Sequence, residues 1–211
     1  MTPSMFSRIR TRFFAGLDLG QSKDYTAIAL AERVEVEGAW DAARYGHPLT
    51  PVLDLRYLQR IELGTPYPDI VDRVVALTRS PELAGRTQLA VDGTGVGRPI
   101  VDMLHRARPQ CAMLPALITS GDCQTFSGGY YRLPKRDLIA RVISALQRQT
   151  LRIAANVPFS ADLTREMTNM EVRITSFGTE QFGAWREGAH DDLVFAVALA
   201  CWAAENSGVW H

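Results

Sequence analysis

The spacing of apolar and polar residues along the chain changes period several times, and each change marks an element. FFAGLDLG (13–20) predicts a short strand ending in a turn, YTAIALAERVEV (25–36) a second strand, and the alternating VLDLRYLQRIEL (52–63) a third. The stretch around Gly38–Pro51 between the last two predicts a loop. PYPDIVDRVVALTRS (66–80) places Ile70, Val71, Val74, Val75 and Leu77 at helical spacing behind a proline start. TQLAVDG (87–93) predicts a buried strand, GRPIVDMLHRAR (97–108) a helix with Pro99 in its first turn, and CAMLPALIT (111–119) another strand. LPKRDLIARVISALQRQT (133–150) predicts an amphipathic helix with Leu138, Ile139, Val142, Ile143 and Leu146 on one side. LRIA predicts a short strand, SADLTREMTNMEV (160–172) a helix capped by Ser160, and RITSFG with QFGAWREG a hairpin. HDDLVFAVALACWAAE (190–205) closes the pattern as a helix. Three strands followed by alternating helices and strands predict an α/β mixed sheet flanked by helices, with an antiparallel β1–β2–β3 meander and parallel strands beyond it.

Composition adds bounds. A chain of 211 residues, 46% hydrophobic and 22% charged, fits one globular domain with a closed core. The uncharged run Leu193–Ala204 is too short to cross a bilayer, so no membrane partner is expected. Three cysteines (Cys111, Cys123, Cys201) without a CxxC pair point to reduced thiols in a cytoplasm, and no zinc-ligand cluster is present. The formal net charge is zero, but six basic residues (Arg132, Lys135, Arg136, Arg141, Arg148, Arg152) face the single acid Asp137 between 132 and 152. That local excess matches the footprint of phosphate neutralisation, and equally a solvated helix face.

The acids carry the candidate chemistry. Asp18 ends a strand before Leu19-Gly20, Asp92 ends another and opens GTGVG, and Asp191 and Asp192 head the most apolar helix. Strand ends project into the crevice where ligands bind, and a helix N-terminus favours nearby carboxylates. If folding gathers these acids they repel one another, and a divalent cation relieves the repulsion. All-oxygen ligands suit Mg²⁺ or Mn²⁺, and four carboxylates suffice for two ions roughly 3.5–4 Å apart. Singly, each acid has a plainer reading: Asp18 and Asp92 as turn residues, Asp191 and Asp192 as a cap and a first-turn acid. Asp24 reads as a turn residue and His190 as a cap neighbour. The conjunction carries the argument.

GLDLGQSKDYTAIAL (16–30), LAVDGTGVGRPIVDML (89–104), LPKRDLIARVISALQ (133–147) and EGAHDDLVFAVALACW (187–202) resemble, in order and over most of the chain, the nuclease domain of the large terminase subunit of tailed bacteriophages. The resemblance implies a ribonuclease H-like fold over residues 13–211, preceded by an extension at 1–12. It implies a metal-dependent endonuclease that cuts concatemeric viral DNA during packaging, in the cytoplasm of a bacterial host. Asp18, Asp92 and Asp191 or Asp192 would be its metal ligands and catalytic residues, holding two divalent cations, Mg²⁺ or Mn²⁺. Its implied partners are double-stranded DNA, an ATPase motor, a small terminase subunit and a portal. The family's motor half carries a phosphate loop, but here the only lysines, Lys23 and Lys135, follow Ser and Pro, so no GxxxxGK[ST] exists and no motor is expected in this chain.

On this reading Asp18 bridges both ions, Asp92 completes one, and the 191/192 pair the other. Arg132, Lys135, Arg136, Arg141 and Arg186 would track the DNA backbone without reading sequence. Tyr130 and Tyr131 either touch sugars and bases or pack beneath the glycine turn. Holliday-junction resolvases share the expected fold and are the nearest rival. A second rival is the ATP-binding class of actin, chaperones and sugar kinases, whose phosphate loops DLGQSKDYTAIAL and VDGTGVG resemble; that class has no use for HDD at the last helix. A silent DNA-binding module is a third, disfavoured because every acidic position is filled.

Overall fold

The computed structural model describes residues 12–20, 24–95, 97–174, 180–183 and 190–207. Strands β1 (Phe13–Asp18), β2 (Thr26–Glu37) and β3 (Leu49–Ile61) form the expected antiparallel meander. After them come α1 (Tyr67–Thr78), β4 (Thr87–Asp92), α2 (Gly97–Ala107), β5 (Ala112–Thr119), β6 (Thr125–Ser127), β7 (Tyr130–Pro134), α3 (Lys135–Gln147) and β8 (Leu151–Ile153). The chain continues through α4 (Ser160–Asn169), β9 (Glu171–Ile174), β10 (Glu180–Gly183) and α5 (Asp192–Asn206). Eight strands make one sheet in the order β6-β7-β5-β4-β1-β2-β3-β8, and β9 pairs with β10 apart from it. The pairs β1–β4, β4–β5, β5–β7 and β3–β8 are parallel, so the sheet is mixed as the sequence predicts.

Strand alternation sorts the core into two layers. Phe13, Ala15 and Leu17 pack against α1 and α2 on one face. Phe14 faces the other way, together with Ala27, Ala29, Ala31, Ala90 and Ala116, towards α3, α4 and α5. Small residues on this face let α5 lie directly on the sheet. At Gly16 an added Cβ would stand 1.9 Å from the Ala196 carbonyl oxygen, so only glycine fits. Every residue of α5 from Asp192 to Ala204 is buried, which explains a helix with no polar face: sheet and helices enclose it on all sides.

Several boundaries differ from the sequence pattern. The β6–β7 hairpin was not foreseen; it turns through Gly128 and Gly129 at φ 60° and 79°, the two positive values that a tight two-residue hairpin turn requires. Ser160 does not cap α4. Phe159 occupies the cap position in the left-handed region, and the Ser160 hydroxyl donates instead to the Ala155 carbonyl at 3.1 Å. α4 ends at Asn169, and residues 171–174, split between helix and hairpin in the sequence reading, form β9. Ile143, placed on the apolar side of α3, is exposed. Residues 1–11 of the expected extension (1–12) and parts of the expected hairpin, with Arg186, lie outside the described residues.

Candidate active site

The sheet register builds one transverse row of side chains. Leu17 pairs with Val91 in the parallel β1–β4 ladder, so the next residues, Asp18 and Asp92, end neighbouring strands side by side. Asp18 pairs with Ala27, and Ala27 with Arg60. Directly opposed residues share a face, so Asp92, Asp18 and Arg60 all point to the α5 side, with alanines between and beside them. The N-terminus of α5 lies over this row and adds Asp191 and Asp192. The result is a cleft of about 330 Å³ lined by all four acids together with Lys135 and His190.

The four carboxylates differ in surroundings. Asp18 lies at the cleft floor, where burial pushes its pKa well above the usual range, and Asp92, Asp191 and Asp192 raise it further while Lys135 opposes. Asp92 is also raised by burial, although Thr94 donates its backbone N–H at 2.9 Å and its hydroxyl at 2.6 Å to Oδ1. Asp192 is raised by burial against a 2.8 Å hydrogen bond from Arg60 Nε to its Oδ2. Asp191 is half-buried, and Lys135 Nζ approaches its Oδ2 at 3.1 Å. Among the described residues no three acid, histidine or cysteine side chains already stand close enough to enclose an ion. Thr94, Lys135 and Arg60 each draw one carboxylate towards themselves.

Three participants were missed in the sequence. Thr94 closes the turn after β4, its hydroxyl accepting the Ile118 N–H at 2.9 Å and so tying Asp92 to β5. Arg60 reaches Asp192 and Glu166, and Glu166 Oε2 accepts the Val194 N–H at 3.1 Å. Burial and the neighbouring Asp192 push the Glu166 pKa up to about 7. Faint signals existed: Glu166 sits three residues after buried Leu163 on α4, and Arg60 shares the inward parity of Leu58 on β3. Asp24, read as a turn residue, stands at the cleft, and His190 Nδ1 lies 3.9 Å from Asp192 Oδ1 with its ring edge-on to Tyr25.

The basic run does not form one stripe. Lys135 is in the acid cleft. Arg136 pairs with Asp122 at 3.0 Å, Arg141 with Glu205, and Arg152 with Asp54 at 2.6 Å. Arg141 and Arg148 line a separate cavity of about 360 Å³ between α3 and α5. Arg132 is exposed on β7. Of the two tyrosines, Tyr130 packs beneath Gly93 and Arg98, and Tyr131 meets Trp202 edge to face.

No protein-family model matches the sequence, and no curated protein matches it. Solved structures do. The large terminase nuclease from thermophilic phage G20c with bound magnesium superposes with a TM-score of 0.59 at 22% identity, over 90% of this chain and 80% of that one. A mutant nuclease domain of the large terminase subunit of bacterial virus Sf6, crystallised with manganese, gives 0.61 at 14% identity over 92% and 89%. The manganese-soaked human cytomegalovirus terminase nuclease domain gives 0.52 at 13% over 92% and 82%. The chain has the fold of a large terminase nuclease domain. In this terminase-type, ribonuclease H-like fold the four acids occupy the carboxyl ends of β1 and β4 and the head of α5, the crevice position expected from the sequence. Among the described residues no helix is long and apolar enough to cross a membrane.

Proposed function

We propose that the protein is a metal-dependent endodeoxyribonuclease of terminase type that cuts concatemeric viral DNA during genome packaging. One observation carries this reading: four carboxylates from three distant parts of the chain meet in one cleft, and three of them hold their protons more tightly than usual. Their donor set fits hard divalent cations, since the oxygens are abundant and their charge is only partly offset by Lys135 and Arg60. Asp18, beside Asp92 and close to the Asp191/Asp192 pair, would be the acid shared by two ions.

Bound Mg²⁺ or Mn²⁺ would supply an activated water and a counter-charge for the departing 3′ oxygen. The chain's own residues prepare that chemistry. Thr94 fixes one oxygen of Asp92, which lines the cleft. Lys135 restrains Asp191 until a stronger cation competes for it. Arg132, Arg136, Arg141 and Arg186 are assigned to the phosphate backbone of double-stranded DNA, Arg136 and Arg141 each also pairing with an acid, Asp122 and Glu205. Contacts of this kind position DNA without reading its sequence. An ATPase motor, a small terminase subunit and a portal are the proposed partners in the host cytoplasm.

The test is direct. Purified protein should nick and then linearise supercoiled plasmid in Mn²⁺, and EDTA should stop it. Absence of metal-dependent cleavage would sink the proposal, and specific resolution of four-way junctions would favour the resolvase reading instead.

A further inference from the structure

Asp192 is presented by a buried ionic clamp whose other members come from outside the acid cluster. Arg60, on β3, gives its Nε to Asp192 Oδ2 at 2.8 Å and its second nitrogen to Glu166 on α4. Its guanidinium also lies 4.8 Å over the ring of Tyr25, so its plane is fixed from a third side. Only 16% of the Arg60 side chain and about 5% of each acid side chain are exposed (6% for Glu166, 5% for Asp192). One cation serving two buried carboxylates is an uneconomical way to stabilise a fold, because desolvating an ion pair costs about as much as the attraction returns.

The geometry has a different use. With Oδ2 held by Arg60, Oδ1 of Asp192 lies on the side of His190, which lines the cleft. Glu166 meanwhile accepts the Val194 N–H, one of the unpaired donors at the head of α5. Asp191 stands at the cap position yet makes no side-chain capping bond. Glu166, from another helix, does that work and leaves the Asp191 carboxylate free to face Lys135 and the cleft. The register reinforces the point: Arg60 lies in the same transverse row as Asp18.

We infer that Arg60 is a positioning residue for the divalent-cation site, orienting Asp192 through a clamp that Glu166 anchors to the first turn of α5; this rests on the metal-dependent reading above. The planar fork of arginine grips two carboxylates at once, which the single ammonium of lysine cannot reproduce.

Isothermal titration with MnCl₂ alone tests it on the wild type, Arg60→Met and Arg60→Lys, with circular dichroism confirming the fold and fluorescence anisotropy reporting DNA affinity. Arg60→Met should bind Mn²⁺ roughly 10–100-fold more weakly, the usual cost of losing a group that orients a ligand. Arg60→Lys should recover part of that loss, and DNA affinity without metal should stay unchanged. If Arg60→Met does not fold, Arg60→Gln takes its place in the same comparison. A folded Arg60 variant that binds Mn²⁺ as tightly as the wild type overturns the inference and leaves the nuclease reading standing. Wild-type protein that binds no Mn²⁺ overturns both.

Discussion

Lys135 holds Asp191, its Nζ 3.1 Å from the carboxylate Oδ2, and the same ammonium stands 4.5 Å over the ring of Phe195 one helical turn further along α5. It is therefore a member of the acid cleft. Its charge lowers the proton affinity of Asp18 and Asp92. Lys135→Gln should destabilise the metal-free protein by about 1 kcal/mol, the scale of a partly exposed ion pair. Thermal denaturation in EDTA checks this, and an unchanged midpoint would remove Lys135 from the charge balance of the site.

The raised carboxylates give a signed pH dependence. Glu166 has a folded pKa of about 7 against an ordinary value of 4.5, and Asp18, Asp92 and Asp192 shift in the same direction. Each binds protons more tightly folded than unfolded, so its contribution is full below the unfolded pKa and is lost as pH rises through the folded one. In EDTA the melting temperature should fall between pH 4.5 and pH 7. Mn²⁺ should reverse that fall at the upper end, because it binds the deprotonated acids. A metal-free protein that grows more stable over this interval would contradict the electrostatic account.

Asp92→Asn should abolish plasmid cleavage while leaving DNA affinity equal or higher, since a negative charge leaves the cleft. Cutting at the wild-type rate would show that Asp92 has no part in the chemistry.

Gly16 marks where α5 rests on the sheet. Gly16→Val should cost at least about 3 kcal/mol, because the new side chain meets the backbone of α5 rather than a yielding side chain. A denaturant titration showing less than 1 kcal/mol of loss would mean that the helix does not lie where it is described.

The thiols separate by burial. Burial pushes Cys111 up to about 11 and Cys201 up to about 12, whereas Cys123 is exposed. Iodoacetamide at mildly alkaline pH should alkylate Cys123 first, as read by peptide mass spectrometry. Earlier modification of Cys201 would place α5 at the surface.

What the sequence made legible was whatever depends on neighbours along the chain. Asp18 and Asp92 end apolar strands, and HDD heads an uncharged run, so each could be placed at an element boundary without knowing the fold. The strand pattern also yielded the antiparallel meander and the parallel strands beyond it. Arg60 and Glu166 were out of reach because their partners lie 132 and 106 residues away, and charge patterning along a chain carries no record of such pairings. The partners of the basic run were out of reach for the same reason: Asp122, Glu205 and Asp54 meet it from other elements. The β6–β7 hairpin escaped because three exposed residues, Thr125–Ser127, are too few to show a period.

The most direct measurement is anomalous diffraction from a crystal soaked in Mn²⁺. The account predicts peaks within coordination distance of Asp18, one shared with Asp92 and the other with the Asp191/Asp192 pair. Manganese bound only elsewhere, with the four acids still held by Thr94, Lys135 and Arg60, would contradict it.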